Sequence, residues 1–264
     1  MKTRVISGTI LGIILAALII IGGVPLLVGS MLVGLQGCYE LYKVGGISRK
    51  PYTYISYPLI IGIYYLIFKG YLNAVGIPLT IFLVVASCSL IYLSVHVIVF
   101  PGFKIDTRTL GLLGLLYPGL MSSCLYLCRI KDDGLFYAAL IIVASLCTDV
   151  FAYFTGIKFG KSHPFKLLSP KKTIEGCIGG IVGACIVSAI LAMIFNKNVF
   201  MICIISIVGS IFSMLGDLSA SSIKREHEIK DYSFIIPGHG GIMDRFDSTF
   251  FVGAIVLICV TLLF

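Results

Sequence analysis

The sequence predicts an all-α, polytopic integral membrane protein with about nine transmembrane helices and a cytoplasmic N-terminus. The mean hydropathy is +1.06, and only 12% of the 264 residues are charged, about half of what a soluble domain carries. Apolar runs long enough to cross a bilayer repeat along the whole chain. The bilayer therefore replaces much of the core that a soluble protein would bury, and residues 1–264 form a single transmembrane domain.

Nine apolar runs justify the count of spans. The third run is short and contains several tyrosines, among them Tyr57, Tyr64 and Tyr65, which suit a membrane interface. Glycine pairs four residues apart, Gly176–Gly180 and Gly179–Gly183, allow close helix packing, and we favour packing within the fold over a dimer face. The spans lie near residues 5–22, 24–42, 54–69, 77–100, 109–129, 134–157, 174–195, 199–219 and 246–264.

The distribution of basic residues sets the orientation. With the N-terminus and the loops after spans 2, 4, 6 and 8 on one side, that side collects 16 of the 20 Lys and Arg residues, including Lys104. Cytoplasmic loops are enriched in these residues, so the asymmetry predicts an inside N-terminus and an outside C-terminus. It also places two polar loops, 158–173 and 220–245, on the cytoplasmic side, where they can build one site.

One polar stretch, residues 221–247, interrupts the apolar sequence. It contains nine of the 32 charged residues and two of the four histidines. Charge beside a bilayer is costly, so such a cluster marks a site. The net charge of +8 suits an anionic lipid surface or a phosphorylated substrate. Nucleic acid is not an expected partner, because no basic stripe with interleaved aromatic residues is present.

Asp244 and Asp247 stand three residues apart at the predicted start of the last helix. On a helix beginning near Met243 both carboxylates lie on one face, where their mutual repulsion favours a cation between them. Mg²⁺ prefers one or two carboxylates together with substrate phosphates. Alternatively, the two acids are solvated and interact favourably with the helix dipole.

A glycine-rich turn, Gly238 to Gly241, precedes this pair. Glycine lets the backbone approach a ligand closely, and amides at a helix start favour phosphate oxygens. His239 in this turn could donate to a phosphate or cap the turn. The other interpretation is an ordinary flexible turn after Pro237.

Two acids, Asp149 and Asp217, fall inside predicted spans. Acids at such depth seldom face lipid, so each is a candidate functional residue, although a hydrogen bond between helices would also explain it. Glu40 lies nearer the membrane interface, and we interpret it as structural.

Basic residues accompany the acids. Lys224, Arg225 and Lys230 can bind phosphates, and Lys171 with Lys172 adds a second basic loop. Positive-inside topology explains the number of these residues, but not their clustering with carboxylates and glycines.

The spacing of the polar and glycine residues in the stretch 221–247 resembles the signature of phosphatidate cytidylyltransferases, also called CDP-diacylglycerol synthases. The matching positions run from Ser221, Ile223, Lys224 and Arg225 through Lys230, Asp231 and Ser233 to Pro237, His239, Gly240, Gly241, Asp244, Arg245 and Asp247. Segments 149–156, 159–161 and 169–176 and the Gly216–Leu218 tripeptide are similar to the family's other polar motifs. Residues 1–130 match only as apolar spans.

The resemblance implies cytidylyl transfer from CTP to phosphatidic acid, giving CDP-diacylglycerol and pyrophosphate, with Mg²⁺ and a second cation as candidate cofactors. It makes residues 131–264 the catalytic half and suggests a homodimer. We expect the protein in the inner cell membrane, and the distribution of basic residues predicts that its site faces the cytoplasm. Metal ligands would be Asp217, Asp244 and Asp247, and phosphates would meet Lys224, Arg225 and Lys230. The remaining candidates are Asp231, His239 and Arg245 as catalytic residues, and Lys171, Lys172, Ser221, Gly240 and Gly241 as cofactor-binding residues.

Two other functions fit parts of the sequence. A related enzyme could transfer a cytidylyl or phosphoryl group to another lipid, such as an isoprenoid phosphate. An ion-coupled transporter would use Asp149 and Asp217, but we find no repeat symmetry of the kind such transporters show.

Overall fold

A computed structural model describes residues 2–70, 77–100 and 105–263; Lys104, counted above as cytoplasmic, lies outside them. The described chain is almost entirely helical. The helices are α1 (Lys2–Ile21), α2 (Gly23–Val44), α3 (Pro51–Phe68), α4 (Ile77–Val99), α5 (Thr107–Gly114), a π-helical segment (Leu115–Leu120), α6 (Ser123–Arg129), α7 (Gly134–Phe159), α8 (Ile174–Ile194), α9 (Val199–Glu226) and α10 (Met243–Leu263).

The helices confirm the predicted fold class. Seven helical segments of the described chain are long and apolar enough to cross a membrane. Two shorter apolar helices, Val5–Ile21 and Thr53–Phe68, coincide with the first and third predicted spans. The protein is therefore an all-α, polytopic membrane protein, whereas the count of nine spans and the orientation stay predictions.

The fifth predicted span is not one regular helix. α5 and α6 are joined through the π-helical segment, which contains Pro118. Proline has no backbone N–H and its ring crowds the preceding turn, so one α-helical hydrogen bond is lost there and an irregular turn is favoured. The interrupted segment is buried, and the Tyr64 hydroxyl lies 2.9 Å from the Ser122 hydroxyl at its end. An adjacent helix thus supplies a partner at the irregular turn.

The eighth span extends further than predicted. α9 continues to Glu226, so Ser221, Lys224 and Arg225 lie on a helix and not in the expected loop beginning at residue 220. The connecting segment comprises only residues 227–242. α10 begins at Met243, as the spacing of Asp244 and Asp247 predicted.

Glycines on α8 bring this helix against α7. A Cβ atom on Gly176 would stand 2.8 Å from the Ala152 carbonyl oxygen, and one on Gly180 would stand 2.7 Å from the Thr148 carbonyl oxygen. Both distances are shorter than van der Waals contact, so only glycine permits this packing. The preference for packing within the fold is therefore confirmed for these glycines.

The segment between α7 and α8 is held against the ends of neighbouring helices. The Thr173 hydroxyl caps α8 by accepting from the Gly176 amide at 3.1 Å, and Glu175 accepts from the Lys161 amide at 3.1 Å. Leu168 is buried against Val97 of α4 and Leu218 of α9. These contacts fix the approach of Lys172 to α9.

Substituting Gly180 tests this packing. Gly180→Ala should lower the free energy of unfolding by about 1–3 kcal/mol, because the new methyl group forces two helix backbones apart. The measurement is thermal loss of helical circular dichroism for the purified protein in detergent. Gly62→Ala on α3 is the matched control, because a Cβ there has no neighbour within 4 Å. Equal melting temperatures for the two variants would contradict the packing argument.

Candidate active site

A cavity of about 460 Å³ lies among α1, α7, α9 and α10. One part of its wall is apolar, and the other part carries charged groups from several helices. The charged and polar lining includes Asp149, Asp217, His239, Asp244, Arg245 and Asp247, and the apolar lining includes Leu11, Leu15, Ile142, Leu146 and Phe246. Asp149 and Asp247, which are 98 positions apart in sequence, thus line the same cavity.

Lys172 provides positive charge beside three of these acids. Its ammonium group forms an ion pair with Asp217, although only 20% of its side chain is exposed. Burial alone would lower the pKa of Lys172, but the carboxylates of Asp217, Asp149 and Asp247 outweigh burial and raise the pKa above its ordinary value. The expectation that the Lys171–Lys172 loop packs against this region is confirmed for Lys172.

Asp244 joins α9, the connecting segment and α10. One of its oxygens accepts from the Lys224 ammonium at 2.7 Å. The other accepts from the amides of Tyr232 at 2.8 Å and Gly241 at 2.9 Å. Lys224 also lies 5.4 Å from the centre of the Tyr232 ring, and burial raises the pKa of that phenol well above its ordinary range. Asp244 therefore has both oxygens engaged within the protein.

Asp247 lies one turn further along α10 and is only 7% exposed. One of its oxygens accepts from the Ser248 amide at 2.7 Å. α9 lies so close to α10 here that a Cβ on Gly216 would be 2.7 Å from the Asp247 carbonyl oxygen. Glycine at this position brings Asp217, the next residue along α9, to the wall that Asp247 also lines.

The glycine-rich turn approaches carboxylates of the chain itself. Gly240 has a φ of +87°, and a Cβ there would lie 2.8 Å from an Asp244 oxygen. A Cβ on Gly241 would collide with the Glu40 carboxylate. The amides of Gly241, Ile242 and Met243 all donate to Asp244 or Glu40. This arrangement differs from the expectation of helix-start amides free for phosphate.

His239 is held by the N-terminal helix. Its Nδ1 lies 2.8 Å from the Ser7 hydroxyl, which donates to the Pro237 carbonyl at 2.9 Å. Because a serine hydroxyl has one hydrogen, that donation makes Nδ1 the donor to Ser7. Arg245 donates from Nε to the His239 carbonyl at 2.9 Å and lines the cavity.

Nine predicted site residues do not line this cavity. Four of them, Lys172, Lys224, Gly240 and Gly241, lie beside carboxylates that do. The other five lie elsewhere. Arg225 donates to the Leu168 and Ile229 carbonyls at 3.3 Å each, so it connects the two polar segments. Lys171 lines a smaller pocket beside Asp149 and Lys172. Ser221, Lys230 and Asp231 complete this group, and Lys230 is exposed to solvent.

Sequence reasoning missed the role of Glu40. Its side chain is 0% exposed and accepts from the Ser233 hydroxyl at 2.6 Å, the Ile242 amide at 3.1 Å and the Met243 amide at 2.9 Å. Glu40 lies in the last turns of α2, and these hydrogen bonds agree with its interpretation as a structural residue near the helix end. The available sequence signal was an acid inside the predicted span 24–42, a position at which acids are usually paired or hydrogen-bonded.

The carboxylates are dispersed around the cavity. Within residues 2–70, 77–100 and 105–263, no group of three or more His, Cys, Asp or Glu side chains is placed to hold one metal ion. Asp217, Asp244 and Asp247 do line one cavity, and carboxylate oxygens are the ligands that Mg²⁺ prefers. Since Mg²⁺ usually needs only one or two carboxylates besides phosphates and water, this donor set is chemically suitable.

Comparison with known proteins identifies the family. The model of the cytidylyltransferase family matches residues 2–263. The chain belongs to the cytidylyltransferase family. It is 32% identical to the phosphatidate cytidylyltransferase of Staphylococcus haemolyticus over 256 residues, which cover 96% of each chain. The phosphatidate cytidylyltransferase of Bacillus subtilis is 32% identical over 264 residues, covering 96% of this chain and 94% of the relative.

Membership of the cytidylyltransferase family extends to the N-terminal half, which resembled the family at first only through its apolar spans. The matched region includes α1 and α2. These helices supply Ser7 and Glu40, which contact the turn between α9 and α10. The N-terminal half of this cytidylyltransferase therefore helps to shape the site.

The Lys172–Asp217 pair predicts a specific stability effect. Lys172→Met should lower the free energy of unfolding by about 1–3 kcal/mol, because Asp217 then remains near Asp149 and Asp247 without its cation. A raised pKa means that the contribution of Lys172 is fully present below the unfolded-state value of about 10.4 and is lost only at higher pH. Melting temperatures measured from about pH 7 to pH 9 should therefore differ by a constant amount.

Lys171→Met is the control for this experiment. Lys171 is exposed and adjacent in sequence, so its substitution changes net charge by the same amount without affecting Asp217. A difference that disappears between about pH 7 and pH 9, or equal effects of the two variants, would refute the ion-pair argument.

Proposed function

We propose that this protein transfers a cytidylyl group from CTP to phosphatidic acid, releasing pyrophosphate and forming CDP-diacylglycerol. The observation that carries the proposal is the cavity whose wall is charged on one part and apolar on another. The full-length identity to phosphatidate cytidylyltransferases supports the same conclusion. A lipid phosphate needs polar surroundings for its head group and apolar surroundings for its chains, and this cavity offers both.

The apolar part of the cavity suits a substrate that arrives from the bilayer. Leu11 and Leu15 of α1 face it, and both also line a neighbouring apolar pocket between α1 and α2. Burial of each methylene group contributes about 0.8 kcal/mol, so such surfaces favour acyl chains over water-soluble phosphates. We therefore propose that α1 forms part of the wall that the lipid contacts.

The proposed chemistry requires no strong general base. A phosphate monoester has a second pKa of about 6, so the phosphatidate oxygen is largely ionised at pH 7. This oxygen attacks the α-phosphorus of CTP, a new phosphoanhydride bond forms, and the bond between the α-phosphorus and the bridging oxygen breaks to release pyrophosphate. The protein's task is to bring two anions together and to stabilise the added negative charge.

Basic residues around the cavity suit this task. Arg245 lines the wall directly, and its Nε–H donates to His239, which fixes the direction of the guanidinium group. Lys224 and Lys172 stand beside the acids at Asp244 and Asp217. We propose that these three cations bind substrate phosphates, with Lys224 and Lys172 exchanging a carboxylate partner for a phosphate.

We also propose a divalent cation, most simply Mg²⁺, as cofactor. A cavity lined by four carboxylates repels the polyphosphate of CTP unless cations intervene. When bound, Mg²⁺ would neutralise this charge and polarise phosphate oxygens. Asp217, Asp244 and Asp247 are the proposed ligands. Asp217 and Asp247 suit this role best, since Asp244 already accepts three hydrogen bonds.

The cellular placement is part of the proposal. The protein would lie in the inner cell membrane with its cavity accessible to cytoplasmic CTP, as the 16-to-4 distribution of basic residues favours. A homodimer, the state that the family resemblance implies, would form through faces other than the glycine-lined contact between α7 and α8.

An assay of pyrophosphate release tests the function. The purified protein with CTP, phosphatidic acid and Mg²⁺ should release pyrophosphate, and replacing CTP with ATP should remove most of the activity. An isoprenoid phosphate in place of phosphatidic acid distinguishes the related lipid enzyme. No release of pyrophosphate with CTP and phosphatidic acid would refute the proposal.

Two substitutions test the acids. Asp244→Asn and Asp247→Asn should each lower kcat/KM at least about 100-fold, because each removes a charge that either positions Lys224 or holds the cation. Asp132→Asn is the control, since Asp132 is exposed in the segment between α6 and α7 and does not line the cavity. Near-normal turnover with either test variant would eliminate the role proposed for that residue.

A further inference from the structure

Glu40 is a buried carboxylate with a full set of donors but no cation. Its side chain is 0% exposed, and it does not line the cavity. Across the described ranges, no Lys, Arg or His side chain forms an ion pair with it. Its charge is stabilised instead by hydrogen bonds from Gln36, Ser233 and the amides of Ile242 and Met243.

These donors lie at the beginning of α10. The first amides of a helix have no partner within the helix and carry partial positive charge. Glu40 accepts from two of them although it is 202 positions away from Ile242. Ser233, in the middle of the segment between α9 and α10, donates to the same carboxylate at 2.6 Å. A single side chain on α2 therefore holds two points of the segment that carries the glycine-rich turn.

The turn is shaped to receive this carboxylate. Any side chain at Gly241 would collide with Glu40, and the Gly241 amide is left to donate to Asp244 at 2.9 Å. Asp244 in turn binds the Lys224 ammonium at 2.7 Å. The backbone of the glycine-rich turn thus connects Glu40 to Asp244 and Lys224, which we assign to the site.

We infer that Glu40 is a positioning residue, which holds the segment 233–243 so that Asp244 lines the cavity and keeps its ion pair with Lys224 in one arrangement. This inference rests on the proposed cytidylyl transfer and assigns to α2 a part in binding CTP. Glu40 touches no substrate. Its effect is to keep the turn in the competent conformation before CTP arrives.

The fraction of molecules with a competent turn determines how strongly Glu40→Gln should weaken the apparent affinity for CTP. If only a fraction of molecules has the competent turn, the apparent dissociation constant rises by the inverse of that fraction. Glu40→Gln keeps one acceptor oxygen but places an N–H₂ group against an amide donor of the turn. Losing one charge-assisted hydrogen bond corresponds to a change of about tenfold in the apparent dissociation constant. The KM for CTP should therefore rise about tenfold, while kcat at saturating CTP changes less than about threefold.

The experiment measures kcat and KM for CTP with the full-length protein in detergent, at saturating phosphatidic acid and Mg²⁺, alongside thermal unfolding. Glu40→Gln is compared with Asp106→Asn, in which a carboxylate that caps α5 through the Thr109 amide becomes an amide away from the cavity. The control should leave the KM for CTP within about twofold of wild type. Ser233→Ala should raise that KM by a smaller factor than Glu40→Gln, because it removes one donor and leaves the charge in place.

Each result decides the inference. A raised KM with retained kcat supports positioning, and so does a raised KM for Ser233→Ala if Glu40→Gln fails to fold. An unchanged KM in folded Glu40→Gln overturns it, whether or not the melting temperature falls, because a merely structural role affects stability alone. A fall in kcat without a rise in KM overturns it as well. Absence of pyrophosphate release by the wild-type protein refutes the proposed function instead, so the two failures are distinguishable.

Discussion

Compensation of charge beside the bilayer is the constraint on which this structure depends. A carboxylate removed from water requires donors or cations, since leaving it unpaired costs several kcal/mol. Three acids meet this requirement in different ways: Glu40 accepts backbone and hydroxyl donors, Asp244 accepts one ammonium and two amides, and Asp217 pairs with Lys172. Each solution joins a helix to a distant segment, so satisfying charge also assembles the site.

These connections explain why the polar segments have little freedom. The segment between α7 and α8 is held by Glu175, by the Thr173 cap and by the burial of Leu168. The segment between α9 and α10 is held by Asp244 and Glu40 and contacts Ser7 of α1 through His239. Apolar packing of α7 against α8 through glycines provides the scaffold for both. Electrostatic preorganisation of this kind is the main contribution a protein makes to phosphoryl-type transfer.

The arrangement also relates the two halves of the chain. Residues 131–264 carry the acids and bases that would meet CTP, whereas α1 and α2 contact the turn beside them. One apolar surface of α1 lines the cavity, and its Ser7 holds the histidine of the turn. The proposed binding of a lipid along α1 and the proposed positioning of the nucleotide site would therefore be linked through one helix.

The sequence alone determined the membrane class, the approximate helix bounds and the stretch 221–247, because hydropathy and the spacing of charged residues are local properties. It also indicated Asp244 and Asp247 on one face of α10 and the approach of Lys172. It could not show that Pro118 interrupts a span through a π-helical segment or that α9 continues to Glu226, since helix termination depends on available partners. Only the tertiary structure decided that Glu40 binds the turn, because a hydrogen bond between residues 40 and 242 has no signature in local sequence.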